Sequence, residues 1–266
     1  MTNRALCVGI NDYPLADMDL KGCVNDAKDW AALMVAHYDF ARSDVKLLLN
    51  KSATKTAIVR ELAKMLSGAA SGDVLVFTNS SHGTYVADKD GDEAVYDEAM
   101  CPYDAKENLL VDDELRALFA DLKKGVRLTV VSDSCFSGTV TRAMDTMRTP
   151  DDRRRRFLNP KRIGLTEITD LGKARPRSVG LYPESAMKEV LVSGCNDKQY
   201  SFDALIDGRY NGAMTANAMR VIAKAGYRLS YNALHTKLVA ALDESGYDQE
   251  PQLEGAASAR RRQLFT

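Results

Sequence analysis

Short apolar runs alternate along this chain with stretches of helical period, and that alternation restricts the fold more than any other feature. Ala5 to Ile10, Val45 to Leu49, Asp73 to Thr78, Arg127 to Ser132 and Glu189 to Ser193 are rich in Val, Leu and Ile and are too short for buried helices, so they read as strands. Between the first two, Asp26 to His37 puts Ala27, Trp30, Ala31, Leu33 and Met34 on one helical face. A second helix begins at Thr54, whose hydroxyl suits an N-cap, carries Ile58, Leu62, Met65 and Leu66, and stops at Gly68. Further helices are predicted over Asp112 to Leu122, capped by Asp112 or Asp113, and over Ala213 to Ala225 and Ser230 to Asp243, with a sixth short strand at Pro251 to Glu254. Strands alternating with helices predict a mainly parallel sheet covered on both faces.

With 266 residues and 45% apolar content, the chain suits one large α/β domain rather than two small ones. No stretch is long and apolar enough to span a membrane, and the run at Ala5 to Ile10 is too short and too lightly flanked for a signal peptide, so the expectation is a soluble cytoplasmic protein with no membrane partner. Five cysteines without a Cys-x-x-Cys pair argue against a disulfide framework or a zinc site. A net charge of −1 gives no nucleic-acid footprint. The charge is unevenly spread, however. Acids crowd positions 88 to 114, while Arg142, Arg148, Arg153 to Arg156, Lys161, Arg162, Lys173, Arg175 and Arg177 follow among prolines, so 140 to 186 reads as a long exposed linker.

Two of the strands end in polar loops that carry chemistry. Val74-Leu-Val-Phe-Thr78 leads to Ser80-Ser-His82-Gly83, and Leu128-Thr-Val-Val-Ser132 leads to Asp133-Ser-Cys135-Phe-Ser-Gly138. Parallel strands deliver the residues that follow them to one rim of the sheet, so an imidazole and a thiol far apart in sequence can meet there. A lone histidine is seldom a catalyst, and Cys7 and Cys195, inside apolar runs, read as small core residues. Cys135 lies past its strand among Ser, Asp and Gly, where a core role fits poorly.

Together with Tyr96-Asp-Glu-Ala-Met-Cys-Pro-Tyr-Asp104, Asp112-Asp-Glu114 and Asn211-Gly-Ala-Met-Thr215, these loops give the chain a specific resemblance to caspase-family cysteine peptidases, nearest to metacaspases and bacterial caspase-like proteases of the orthocaspase type. The resemblance implies a caspase-like (caspase-hemoglobinase) three-layer α/β/α sandwich with a mainly parallel six-stranded sheet. It implies one peptidase domain over 1–266: a large-subunit-like part (1–139), a basic activation linker (140–186) and a small-subunit-like part (187–266). Cys135 would attack as thiolate, His82 would move the proton, and the Gly83 and Cys135 amides would hold the oxyanion. Cys23, Asp26, Ser80 and Asp133 match the acidic substrate pocket, which favours protein substrates with exposed Arg or Lys. The linker offers Arg142, Arg148, Arg153, Arg154, Arg155 and Arg156 as cleavage sites, for the protein itself or for an upstream protease.

No cofactor is required by the resemblance, and calcium is the one ion to weigh. Asp97, Asp112 and Asp113 match carboxylates that bind it in several metacaspases, but Arg142 replaces the fourth acid, and its charge opposes a cation. Asp88 to Glu93 looks like a calcium loop but has Ala99 where an EF-hand needs its glutamate. Two other readings stand beside the peptidase. One is a catalytically silent scaffold that works by binding. The other is a nucleotide or flavin binder, which Gly9-Ile-Asn-Asp-Tyr13 disfavours because no G-x-G-x-x-G follows the first strand.

Overall fold

The structure, a computed structural model, describes residues 2–87, 96–135, 153–165, 187–196 and 199–266. In chain order its strands are β1 (Asn3–Gly9), β2 (Val45–Leu49), β3 (Val74–Ser80), β4 (Gly83–Ala87), β5 (Tyr96–Met100), β6 (Leu110–Val111), β7 (Arg127–Asp133), β8 (Arg153–Arg155), β9 (Glu189–Ser193), β10 (Phe202–Ile206), β11 (Arg209–Gly212) and β12 (Gln252–Glu254). The helices are α1 (Cys23–His37), α2 (Lys55–Ser67), α3 (Asp112–Ala120), α4 (Ala213–Lys224), α5 (Tyr231–Glu244) and the short α6 (Ala257–Arg260).

Six strands form the central sheet in the order β12-β9-β7-β3-β1-β2, all parallel except β12, which runs against β9. Their side chains alternate between two cores, as the two-residue period of a strand requires. Ala5, Cys7, Val74, Val76 and Val131 pack with Trp30 and Met34 of α1, Ala218 and Ile222 of α4 and Leu238 of α5. Leu6, Val8, Leu75, Phe77, Leu128 and Val130 pack on the other face with Ile58 and Leu62 of α2 and Phe119 of α3. The outcome is the expected three-layer α/β/α sandwich.

Local signals explain most element ends. Thr54 caps α2 by accepting the Ala57 amide at 3.2 Å, and Ser230 caps α5 through the Ala233 amide at 3.2 Å. At α3 the expectation of an aspartate cap is corrected: Val111 is the cap residue, and Glu114 reaches back to accept its amide at 3.1 Å. Asp112 and Asp113 lie inside the first turn, where both carboxylates pair with Arg116.

The register of the sheet positions the site. Gly9 pairs with Ser80, and Ser80 with Asp133, so β1, β3 and β7 end level. His82 and Cys135 therefore each follow two residues after an aligned pair, at the carboxyl edge of adjacent strands. Two smaller antiparallel sheets, β4-β5-β6 and β11-β10-β8, stand beyond that edge. They were not foreseen, because their strands are short and carry Arg, Asp and Glu. β8 also corrects the exposed-linker reading: within that stretch Arg156 is fully buried, and Leu158 and Ile163 are buried too.

Candidate active site

Met18 and Tyr13 hold His82 in place. Its Nε2 meets the carbonyl oxygen of Met18 at 2.7 Å, its own amide donates to the Tyr13 hydroxyl at 3.2 Å, and the Tyr13 ring tilts against the imidazole at 5.3 Å. A carbonyl oxygen can only accept, so Nε2 carries the hydrogen in the neutral ring and Nδ1 keeps its lone pair. Nδ1 is buried with no hydrogen-bond partner among the described residues. Burial lowers the imidazole pKa to about 4, the Met18 carbonyl works against that shift, and the charges of Arg154 and Arg156 add to it. The ring is thus neutral near pH 7, with a proton-accepting nitrogen left over.

Cys135 is also buried, and its Sγ donates to the Gln199 carbonyl at 3.0 Å. Cys195, expected to be a plain core residue, points its Sγ at the same carbonyl at 3.4 Å. Its hydrogen bond with Cys135, together with burial, pushes its pKa well up. Cys195 is buried as expected, but the apolar run before it ends at Ser193 and the chain turns through Gly194 to the sheet edge, where it packs with Cys135 and Tyr200.

Between these two loops lies a piece of the chain itself. The carbonyl oxygen of Arg156 accepts the Gly83 amide at 2.9 Å and the Cys135 amide at 3.4 Å, the two donors expected to line an oxyanion hole. On one side, the Arg156 amide donates to Ser201 O at 2.9 Å, and Arg153 to Arg155 pair antiparallel with Phe202 to Ala204 of β10. On the other side, Leu158 N donates to Gly83 O at 2.8 Å, the Thr84 hydroxyl donates to Leu158 O at 2.7 Å, and Phe157 bridges to Gly83. The segment lies extended across the strand ends and is fastened on both sides of the Arg156–Phe157 bond.

The guanidinium of Arg156 fills an acidic pocket. Nη2 donates to Asp26 Oδ2 at 2.6 Å and to Asp203 Oδ1 at 2.9 Å; Nη1 lies 3.3 Å from Asp133 Oδ2, 3.0 Å from the Asp133 carbonyl and 3.5 Å from Ser80 Oγ. Three carboxylates, none more than 2% exposed, surround one cation. Burial raises Asp26 to about 6 although Arg156 draws it down, and the same carboxylates hold Arg156 charged. Of the four pocket residues expected, Asp26, Ser80 and Asp133 touch the guanidinium. Cys23 is buried beside it, within reach of its charge, with its pKa raised by burial.

Asp203 and Gly212 complete the pocket and were not anticipated. Asp203 also accepts the Lys21 and Gly22 amides at 2.8 and 2.9 Å, tying α1 to β10. A carboxylate inside the apolar Phe-Asp-Ala-Leu-Ile run was the available signal, since a buried charge needs a partner. At Gly212 a Cβ would collide with Asp133 Oδ2 and Arg156 Nη1, so only glycine leaves room for the guanidinium.

The residues expected to bind calcium lie in β5 and in the first turn of α3. Arg116 occupies the carboxylates of Asp112 and Asp113, Asp97 belongs to β5, and no cluster of three or more His, Cys, Asp or Glu among the described residues could hold a metal. Arg142 and Arg148, also named as cleavage sites, fall outside the described residues, as does the Asp88 to Glu93 loop. No helix among the described residues is long and apolar enough to cross a membrane.

The family model for the metacaspase, peptidase C14 domain matches residues 3–144. Metacaspase-1 of Scheffersomyces stipitis is 32% identical over 94% of this chain and 70% of its own length. The crystal structure of a Geobacter sulfurreducens protein superposes with a TM-score of 0.74 at 26% identity, covering 100% of this chain and 99% of that one. Caspase-1 from Spodoptera frugiperda superposes with a TM-score of 0.55 at 12% identity over 95% of this chain and 86% of its own, which establishes the likeness of fold alone. A caspase-like sandwich, a matching family model and a similar relative aligned over nearly the whole chain lead to one conclusion: this chain belongs to the metacaspases, the cysteine-type peptidases of family C14.

Proposed function

We propose that the chain is an endopeptidase that cleaves after arginine through Cys135 and His82, and that its first substrate is its own Arg156–Phe157 bond. The observation that supports this reading is the seating of Arg156, with its guanidinium among Asp26, Asp133 and Asp203 and its carbonyl oxygen on the Gly83 and Cys135 amides. The two Nη atoms engage different carboxylates, which a single lysine ammonium does not reproduce. Arginine is therefore preferred over lysine, by about tenfold or more if one charge-assisted hydrogen bond is lost.

The residues supply each step. Cys135 Sγ attacks the Arg156 carbonyl carbon while its proton passes to His82 Nδ1, and the oxyanion remains on the two amides. His82 gives that proton to the Phe157 nitrogen as the C–N bond breaks, leaving Arg156 as a thioester on Cys135. Water, deprotonated by the same nitrogen, then displaces the sulfur; the products are a carboxylate at Arg156, a new amino terminus at Phe157 and the free thiol. The Met18 carbonyl keeps the hydrogen on Nε2 throughout.

The test is to incubate the purified full-length chain and its Cys135→Ala variant and to map new termini by mass spectrometry. A new N-terminus at Phe157, absent from the variant, is the expected result. An intact wild-type chain, or termini that follow neither Arg nor Lys, overturns the reading. A Phe157 terminus seen only after another protease is added would overturn self-processing and retain the cleavage site.

A further inference from the structure

We infer that this enzyme is built for polybasic substrates, with dedicated sites for arginine at the second and fourth positions before the cut. This rests on the reading of Arg156 as the residue that precedes the cleaved bond. Alternation along β8 sends Arg154 and Arg156 to one side and Arg153 and Arg155 to the other. Arg156 enters the acidic pocket, and Arg154 donates to the carbonyl of Asp17. On the opposite side each guanidinium lies over an aromatic ring: Arg155 at 4.5 Å from the centroid of Tyr200, and Arg153 at 4.2 Å from that of Tyr247. Arg153 Nη1 also donates to the Gly246 carbonyl at 2.9 Å.

These contacts select side chains that backbone pairing alone would not. Antiparallel pairing with β10 accepts any residue that can be extended, whereas a ring face attracts a flat, weakly hydrated cation. Tyr200 and Tyr247 both flank β10, spaced to meet alternate residues of one bound strand. The ring of Tyr200 also lies 5.9 Å from that of Phe157, so one residue lines both sides of the cut. The preferred substrate class is a run of arginines ending at the cleaved bond.

The test uses the full-length chain after it has processed to completion and three quenched peptides: Arg-Arg-Arg-Arg-Phe-Leu, the same with Ala at the fourth position before the cut, and the same with Ala at the second. Each alanine is expected to lower kcat/KM about three- to tenfold, the range of a partly exposed cation–π contact. In Tyr247→Leu the ratio for the fourth position falls to what the Gly246 carbonyl alone supplies, and in Tyr200→Leu the ratio for the second collapses toward one; the Phe variants, which keep the ring, retain both. Equal cleavage of all three peptides, or ratios unmoved by the Leu variants, overturns the two subsites and leaves the arginine-directed reading intact. Failure to cut any peptide after its last arginine overturns that reading and the subsites with it.

Discussion

The Nε2 atom of His82 and the carbonyl oxygen of Met18 lie 2.7 Å apart, and this one contact decides which imidazole nitrogen is left to do chemistry. The proposed pairing of Cys135 with His82 needs no acidic third member for that purpose, because a carbonyl fixes the tautomer as firmly as a carboxylate would. It does so without adding charge to a buried site.

A pH titration should register the linker above that ring. His82 is held at about 4 by burial first and by Arg154 and Arg156 second. In the uncut Cys135→Ala chain, NMR should show one of the three histidines staying neutral down to about pH 4. A group lowered on folding contributes stability above its unfolded value that is lost as pH falls through the folded one, so the neutral ring supports the fold from about 6.5 upward and weakens it between 6.5 and 4. When the linker is cut and released, the same resonance should titrate nearer 6.5.

Replacing Arg156 by Gln should cost stability as well as cleavage. In the Cys135→Ala background it leaves three carboxylates without their cation, a loss of up to about 3–5 kcal/mol by urea unfolding for a broken buried pair. The pH dependence follows from Asp26, already raised from 3.8 to about 6 by burial and raised further once Arg156 is gone. Stability from a raised acid is fully present below its unfolded value and is lost as pH rises through the folded one. The deficit should therefore be greatest above about pH 6 and shrink toward pH 4. A deficit independent of pH would sink this account of the pocket.

Gly212→Ala offers a way to close the pocket without touching His82 or Cys135. Its methyl group would meet Asp133 Oδ2 and Arg156 Nη1. Self-cleavage and turnover of arginine peptides should fall by more than about 100-fold, the equivalent of two lost charge-assisted hydrogen bonds. Reaction with a small thiol reagent, measured after an added protease has cut the linker, should still label Cys135.

Much of the fold was legible along the chain because its signals are local. Alternating side chains on β1, β3 and β7 and the helical stripes of α1 and α2 need only neighbouring residues to be recognised. His82 and Cys135 could be named because each lies just past a strand among polar residues. Asp26, Asp133 and Ser80 required family likeness as well, since a carboxylate at a helix start or a strand end has an ordinary explanation. Asp203, and the contact of Cys195 with Cys135, went unforeseen because both depend on partners far along the chain.

By itself the sequence determined a doubly covered parallel sheet, the two strand-end loops that carry His82 and Cys135, and an arginine-rich stretch of unspecified use. Only the tertiary structure decided which arginine matters. Arg153 to Arg156 are chemically alike, and no local pattern separates the one that is buried from the one that is exposed. Pairing with β10 sets the register, the pleat sends alternate residues to opposite sides, and the pocket of Asp26, Asp133 and Asp203 can compensate a single buried guanidinium. That conjunction exists only when residues from α1, β7 and β10 meet at the carboxyl edge of the sheet.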